Sequence, residues 1–357
     1  MLVSRLDRYV ARHVLGAFFV VMLVVLGLMA ISMLLDELGE VSSRYPFADA
    51  LYFVLLSLPS MAYQLLPMSA LVGTLIGLGM LASSSELTVM RASGLSMIRL
   101  LMTVIKPISL VAITALLMSE FLVPSAQQTA QAFKAERTGA LSSNGNEQGA
   151  WYREQDRFIH VNAIALNGDL LGLVEHRFDS NHRLIETLSA HRAQYVDGAW
   201  LLQKVKQVRF SDGAKSLNIE ESETLSWESQ LTPELLSVIL VEPMDLPVSG
   251  LSTYAAYLGE QGVNPKRYDL AFWNKTLQPF SVLALVLVGT AFIFGPLRSV
   301  TVGQRVLTGV IVGLVFKFSQ DLLAPASQVL GFSAFWAAFV PIFISLLFAT
   351  LMLARVR

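Results

Sequence analysis

Twenty-two consecutive residues without a charged side chain decide the fold of this chain: VLGAFFVVMLVVLGLMAISMLL, residues 14–35. Crossing a bilayer takes about 20 mostly apolar residues in an α-helix, because no water is present in hydrocarbon to satisfy the backbone. Residues 50–85, 276–297 and 322–354 are free of charge as well. We therefore expect a protein that crosses a membrane several times.

Six membrane helices are predicted from these runs and from two weaker ones. They lie at about Val14–Leu35, Met61–Leu81, Leu100–Val123, Thr276–Phe294, Val302–Leu323 and Phe332–Leu353. The charge-free run from Ala50 to Ser85 is too long for one crossing, since a helix of this length would extend about 54 Å against a core of about 30 Å. Because Pro59 and Pro67 can break a helix, Phe47–Leu58 is expected to form a separate helix at the outer interface.

The composition excludes several classes of function. Hydrophobic residues make up 54% of the chain and charged residues 15%, against about 25% charged in soluble domains. The net charge of −1 argues against a nucleic-acid partner. The absence of cysteine excludes thiol catalysis, disulfides and cysteine-ligated metals. No Walker A, HExxH or GxSxG pattern occurs, and no span carries the residues of an intramembrane protease. We expect no catalytic residue, no metal site and no directly bound cofactor.

Lysine and arginine are distributed unequally between the two sides of the predicted helices. One side holds Arg5, Arg8, Arg12, Arg91, Arg99, Lys106, Arg298, Arg305, Arg355 and Arg357. The short segments on the other side hold only Arg44. Because cytoplasmic loops carry the excess of lysine and arginine, both termini are expected in the cytoplasm.

Between the two groups of helices lies an ordinary water-soluble sequence. Turn signals recur in it at Asn167-Gly168, Asn181-His182, Asp197-Gly198 and Asp212-Gly213, between strand-like apolar runs. From about Lys134 to Met244 we predict β structure, as a sandwich or jelly roll. The predicted organisation is a first membrane half at 1–123, an all-β, jelly-roll-like domain with linkers at 124–270, and a second membrane half at 271–357. By the charge rule, the β domain lies outside the cytoplasm.

Two glycine-containing segments lie inside predicted spans. Residues 73–79 superficially resemble a phosphate-binding loop, but their place within a membrane helix favours close helix packing through small residues. Gly309 and Gly313 are interpreted in the same way.

The loop between the second and third helices contains a short amphipathic segment, predicted as a helix at about 84–96. Ser83, Ser84 or Ser85 can cap it, and Gly94 suits its end. Leu87, Met90 and Leu95 form its apolar face. One interpretation is a plain interfacial turn. The other is a helix that enters a groove of a cytoplasmic partner, with Glu86 and Arg91 as polar contacts.

Glu86–Gly94 closely resembles the coupling-helix segment of the lipopolysaccharide-export permeases, the LptF/LptG family, and looks closer to its LptG branch. The resemblance covers essentially the whole chain. Its other motifs are Leu6–Tyr9, Pro67–Leu71, Leu78–Leu81, Gln278–Pro279 and Phe294–Ser299. Six helices with a β domain after the third are the layout of this family.

The resemblance implies an ATP-driven transporter that extracts lipopolysaccharide from the inner membrane of a Gram-negative bacterium. The implied partners are the homologous permease LptF, two copies of the ATPase LptB, the membrane-anchored LptC and the periplasmic bridge LptA. ATP and Mg²⁺ would be bound by the ATPase. Glu86, Leu87, Met90, Arg91, Gly94 and Leu95 are then the expected ATPase-coupling residues, which transmit movement to the second and third helices.

The resemblance also implies a lipid gate along the first and fifth membrane helices. Its expected residues are Phe18, Met22, Val25 and Met29 on the first, and Val310, Leu314, Lys317, Phe318 and Asp321 on the fifth. Lys317 and Asp321 stand four apart and so share a helix face. They are either a structural ion pair or, through Lys317, a contact for a lipid phosphate. Some relatives carry lysines after the first helix, whereas this chain has Asp36, Glu37 and Glu40 there.

Two alternatives to lipopolysaccharide export remain open from the sequence. One is a permease of another ATP-driven lipid or lipoprotein extraction system, which usually has four spans per subunit. The other is a membrane scaffold without transport, which would not copurify with a nucleotide-binding subunit.

Overall fold

A computed structural model describes residues 5–42, 45–138, 150–154, 156–165, 168–179, 183–196, 198–211, 216–229, 231, 243–260, 265–295 and 300–355. The chain divides into two compact units. The first comprises Met1–Ile31, Leu58–Val123 and Pro247–Arg357, and the second comprises Ser32–Ser57 and Pro124–Leu246.

Eight α-helices occur in the described part of the chain. They are α1 (Arg5–Leu38), α2 (Phe47–Ser83), α3 (Glu86–Ala92), α4 (Met97–Thr138), α5 (Val248–Glu260), α6 (Lys266–Phe294), α7 (Val302–Leu330) and α8 (Ala334–Arg355). Six of these described helices are long and apolar enough to cross a membrane: α1, α2, α4, α6, α7 and α8. The prediction of six spans is confirmed, which disfavours the four-span alternative.

The prediction of a separate interfacial helix at Phe47–Leu58 is wrong, because α2 is continuous through Pro59 and Pro67. Proline removes the N–H that would bond to the carbonyl four residues earlier. For Pro67 that carbonyl belongs to Tyr63, and it accepts a hydrogen bond of 2.9 Å from Gln278 Nε2. A side chain from α6 thus replaces the missing backbone donor. The carbonyl is not left without a hydrogen bond, and the helix continues through Pro67.

Helix α4 extends further than predicted. Lys134, the expected beginning of the β structure, lies within the helix, which ends at Thr138. Pro124 is followed by alanine, glutamine and lysine residues, which favour helix. The first described strand begins at Ala150.

Six strands form one antiparallel sheet in the second unit. They are β1 (Ala150–Glu154), β2 (Arg157–Ile164), β3 (Leu170–Phe178), β4 (Leu184–Val196), β5 (Ala199–Ser211) and β6 (Ser216–Trp227). The strands pair in chain order, as a meander; the crossing connections of a Greek key are not found among these six. The inserted all-β domain is confirmed. Its core includes Ile159, Leu173, Trp200 and Leu202, and Trp200 donates from Nε1 to the Leu231 carbonyl.

Helix α2 packs closely on two neighbours in the first unit through glycines. A Cβ atom at Gly73 would lie 2.5 Å from Phe18 Cα of α1, and one at Gly309 of α7 would lie 2.7 Å from Leu75 Cδ1 of α2. At Gly73 the close atom is backbone, so only glycine fits, whereas at Gly309 a larger residue would require the end of the Leu75 side chain to move. The interpretation of these glycines as packing residues is confirmed.

Candidate functional site

The short helix α3 follows α2 after two residues and is held by its apolar face. Leu87 and Met90 are buried and belong to the same core as α2 and α6. Glu86 is half-buried, whereas Arg91 is exposed. The structure therefore separates anchoring side chains from polar side chains that are available at the surface.

The N-terminus of α3 differs from the predicted serine cap. Ser85 occupies the N-cap position with φ of 60° and makes no capping hydrogen bond through its side chain. Ser84 Oγ instead donates to Glu86 Oε1 at 2.9 Å. The helix comprises seven residues, Glu86–Ala92, and is shorter than the predicted 84–96.

The C-terminus of α3 has the geometry of a Schellman motif. The Leu95 N–H donates to the Met90 carbonyl and the Gly94 N–H to the Arg91 carbonyl. Gly94 adopts φ of 92°, a left-handed conformation that glycine permits without steric cost. The predicted role of Gly94 as the stop of this helix has a direct geometric basis.

A half-open groove of about 360 Å³ lies beside α3. Its lining consists of Ala82, Leu87, Thr88, Arg91, Ala92, Ile293 and Phe294. The groove thus joins the end of α2, one face of α3 and the end of α6. A groove with a mixed polar and apolar lining and a guanidinium at its edge suits a protein side chain that carries both apolar and anionic surface.

The charged pair on α7 forms as its spacing predicted. Lys317 Nζ lies 2.8 Å from Asp321 Oδ1, and both side chains are more than half exposed. Leu314 and Phe318 are exposed beside the pair, whereas Val310 is half-buried. The structure brings most of the expected α7 residues together on one face that the rest of this chain leaves uncovered.

The expected residues of α1 do not share one exposed face. Phe18 is 2% exposed and packs against Gly73 of α2. Met22 is partly buried, and its sulfur accepts a hydrogen bond from Ser69. Val25 is half-buried and Met29 is exposed.

The exposed apolar residues of α1 are largely different ones. They include Phe19, Val20, Leu23, Val24, Leu28, Met29, Ile31 and Leu35. The signal that identifies this face is the glycine pair on α2, Gly73 and Gly77, because it shows which side of α1 approaches closely.

Glu37, in the last turn of α1, and Glu40, just after it, form part of an ion cluster in the second unit. Lys134 Nζ lies 2.7 Å from Glu37 Oε1 and 2.8 Å from Glu40 Oε2. The Tyr45 hydroxyl donates to Glu37, and burial, with the Glu37 charge beside it, raises the pKa of that hydroxyl. Asp36 is exposed. Among the residues that the structure describes, no group of three or more histidine, aspartate or glutamate side chains is arranged to hold a metal.

Two histidines of the sheet lie against one tryptophan. The Trp151 ring is 4.8 Å from the His160 ring and 6.1 Å from the His176 ring, between centroids. Burial lowers the pKa of both imidazoles, and the proximity of His176 lowers the pKa of His160 further. The pair is therefore predominantly neutral at pH 7.

Known proteins resemble this chain over nearly its whole length. Residues 8–355 match the family described as lipopolysaccharide export system permease LptF/LptG. The chain is 32% identical over 359 residues to the lipopolysaccharide export system permease protein LptG of Haemophilus influenzae, with all of both chains covered. It is also 32% identical over 339 residues to the protein of that name from Escherichia coli strain K12, covering 94% of each.

Proposed function

Since this chain belongs to the LptF/LptG family of lipopolysaccharide export permeases, we propose that it is the LptG-type membrane subunit of an ATP-driven transporter. That transporter extracts lipopolysaccharide from the inner membrane and passes it to a periplasmic bridge toward the outer membrane. The chain itself is not an enzyme in this proposal. ATP and Mg²⁺ are bound and used by a separate cytoplasmic ATPase.

The observation that carries the proposal is α3 with its groove. Leu87 and Met90 fix the helix to the membrane helices, while Arg91 lies at the edge of an open groove with a mixed polar and apolar lining. The sequence has no Walker A motif, and the proposal accordingly assigns ATP hydrolysis to another subunit. A partner side chain that enters the groove would displace α3, and with it the end of α2.

The proposed assembly follows from what such a subunit needs. The homologous LptF supplies the second permease, two copies of LptB supply ATP hydrolysis, and LptC and LptA receive the lipid. The uncovered faces of α1 and α7 supply apolar surface for acyl chains. Lys317 provides a cation at membrane depth, where a phosphate group of the lipid is its natural partner once Asp321 is displaced.

The orientation in the membrane is part of the proposal. The bias of lysine and arginine supports cytoplasmic termini and a periplasmic β domain. The natural absence of cysteine allows a direct test with single cysteines at Ser222 of β6 and Ser93 after α3, both exposed. A membrane-impermeant maleimide should label S222C in intact spheroplasts and S93C only after lysis. The reverse pattern would overturn the orientation.

The decisive experiment purifies the chain with its native companions. We expect an ATPase in the complex and, after reconstitution in vesicles that contain lipopolysaccharide, ATP-dependent transfer of that lipid to the periplasmic bridge protein. Vesicles without ATP are the control. A chain that brings down no ATPase supports the scaffold alternative, and a complex that releases lipoproteins but not lipopolysaccharide supports the other extraction system.

The lipid path is tested by photo-crosslinking at two adjacent residues of α1. Phe19 is 59% exposed and Phe18 is 2% exposed, so the two differ in burial but not in side-chain type. A photoreactive phenylalanine at position 19, or at Phe318 of α7, should crosslink lipopolysaccharide during transport. The same probe at position 18 is the matched control and should not.

A further inference from the structure

Helix α7 has one narrow stripe of fully buried residues. Its buried residues are Arg305, Gly309, Gly313, Phe316 and Ser327. The first four are spaced by four, four and three residues, so they lie on one face of the helix. Most of the remaining surface of α7 is uncovered. Helix α7 is therefore fully buried only along this stripe, although it also contacts α6 and α8.

The stripe lies against α2. A Cβ atom at Gly313 would lie 3.0 Å from Met68 Cγ, just as Gly309 approaches Leu75. At the beginning of the stripe, Arg305 is 1% exposed and donates from Nη1 to the carbonyl of Gly79. Two small residues and one cation thus join α7 to α2.

Because Gly79 has no Cβ atom, it leaves the space that the Arg305 side chain occupies. A Cβ atom there would lie 2.6 Å from Arg305 Nη1 and 2.8 Å from Arg305 Cδ. Any larger residue at position 79 would therefore displace the guanidinium. Burying a cation costs desolvation, and an apolar residue would fill the same space at lower cost. An arginine at this buried position therefore indicates that the hydrogen bond from Arg305 to the Gly79 carbonyl is required, and not only the filling of space.

The contact lies close to α3 along the chain. Gly79 precedes the last residue of α2, Ser83, by four positions and Glu86 by seven. Ala82, from the same turn of α2, lines the groove beside α3. One end of α2 therefore touches both the segment that receives the ATPase and the helix that carries Lys317.

We propose that Arg305 is a positioning residue that ties α7 to the end of α2, so that displacement of α3 is passed to the Lys317-bearing face of α7. The inference rests on the proposed function, in which an ATPase moves α3. It assigns to the Arg305–Gly79 contact the coupling of that movement to the lipid gate.

The first test displaces the guanidinium without removing it. In Gly79→Ala the new Cβ meets the end of a flexible side chain, so Arg305 moves while the backbone is retained. Gly303→Ala is the matched control, because it lies in the first turn of α7 with nothing within 4 Å of its Cβ. In the reconstituted complex we expect G79A to reduce lipopolysaccharide transferred per ATP hydrolysed at least about fivefold, and G303A to leave it unchanged.

The second test changes the donor. Arg305→Gln removes the charge and shortens the side chain, and we expect a loss at least as large as in G79A. Arg305→Lys retains a cation that reaches the Gly79 carbonyl with one donor, and we expect it to restore about half of the transfer per ATP that R305Q loses. A purely structural role would lower assembly of the complex, whereas the proposed role lowers transfer per ATP in complexes that assemble.

A third readout needs no lipid. Spin labels on cysteines at Val89 of α3 and Ile311 of α7, both exposed, report the distance between the two helices in a complex with cysteine-free partners. We expect ATP to change this distance in the parent and in G303A, and to change it less in G79A. If G79A and R305Q transfer as much lipopolysaccharide per ATP as the parent and show the same change in distance, the inference is wrong while the proposed function is unaffected. A parent complex that transfers no lipopolysaccharide would overturn the proposed function, and the inference with it.

Discussion

Gln278 of α6 donates a hydrogen bond to Tyr63 of α2, and Tyr63 in turn donates one to the backbone of α6. Gln278 Nε2 donates to the Tyr63 carbonyl at 2.9 Å, and the Tyr63 hydroxyl donates to the Lys275 carbonyl at 3.4 Å. Each of these carbonyls lies four residues before a proline, Pro67 in α2 and Pro279 in α6. Each proline therefore leaves a carbonyl without its helical donor, and a side chain of the opposite helix supplies one.

Gln278→Leu is expected to lower the free energy of unfolding by about 1–3 kcal/mol, the cost of leaving a buried acceptor without its donor. Thermal unfolding of the detergent-solubilised protein measures it. Pro67→Ala restores the backbone N–H, so the cost of Q278L should largely disappear in the P67A background. Equal costs in both backgrounds would contradict this account of the two residues.

Lys134→Met is expected to lower the free energy of unfolding by about 3–5 kcal/mol, because it leaves two carboxylates in the buried cluster without this cation. Lys134 and Glu37 are 5% and 8% exposed at their side chains. The matched control is Lys206→Met in β5. Lys206 forms an ion pair with Glu221, and the two side chains are 46% and 71% exposed, respectively. That pair should contribute at most about 1 kcal/mol.

The double variant Lys134→Met with Glu37→Gln separates charge from packing in this cluster. If the cost of K134M is the uncompensated charge of Glu37, the double variant should be more stable than K134M alone. Thermal unfolding under the same conditions measures the difference. A double variant that is less stable than K134M would indicate that the cluster stabilises by shape.

The stability of the protein should fall as the pH decreases below about 6.5, and His160 and His176 should account for part of the slope. Burial lowers the pKa of both in the folded state. Between the lowered pKa values and the ordinary value of about 6.5, the unfolded chain binds more protons, so acid favours unfolding. The double variant H160Q/H176Q should show a smaller loss of the unfolding midpoint between pH 8 and pH 5.5. An unchanged slope would contradict the prediction.

The number of spans, the β insertion and the α3 segment were predictable because their signals are local. Charge-free runs identify membrane helices, and Gly168 and Gly198 of the predicted hairpin turns adopt φ of 87°. Glu120, a charged residue within the third predicted span, accepts hydrogen bonds from Ser249 at the beginning of α5.

The features that the sequence did not predict depend on distant residues. Helix α2 continues through Pro67 because Gln278, more than 200 positions away, supplies a donor. Lys134 lies in a helix beside Glu37, which a pattern of neighbouring residues does not reveal. Phe18 is buried rather than available to lipid, because Gly73 allows α1 to approach. In each case a tertiary contact overrides or completes a local rule.

Glu86→Gln and Arg91→Ala are expected to uncouple transport from ATP hydrolysis while preserving the fold. Neither side chain belongs to the apolar core that holds α3: Arg91 is exposed, and Glu86 is half-buried beside Ser84 and the Tyr9 hydroxyl of α1. Both variants should therefore unfold within about 1 kcal/mol of the parent. Loss of a polar contact at the centre of a partner interface should reduce ATP-dependent lipopolysaccharide transfer at least about tenfold.

Leu87→Ala distinguishes this role of the two polar residues from the stability of α3. Leu87 is 4% exposed within the core, so its truncation should cost about 2–5 kcal/mol and reduce transfer through loss of folded protein. Glu86→Gln and Arg91→Ala should instead reduce transfer at a normal unfolding midpoint, while the ATPase, purified alone, still hydrolyses ATP. Normal transfer by both polar variants would show that the movement enters this subunit elsewhere than at Glu86 and Arg91.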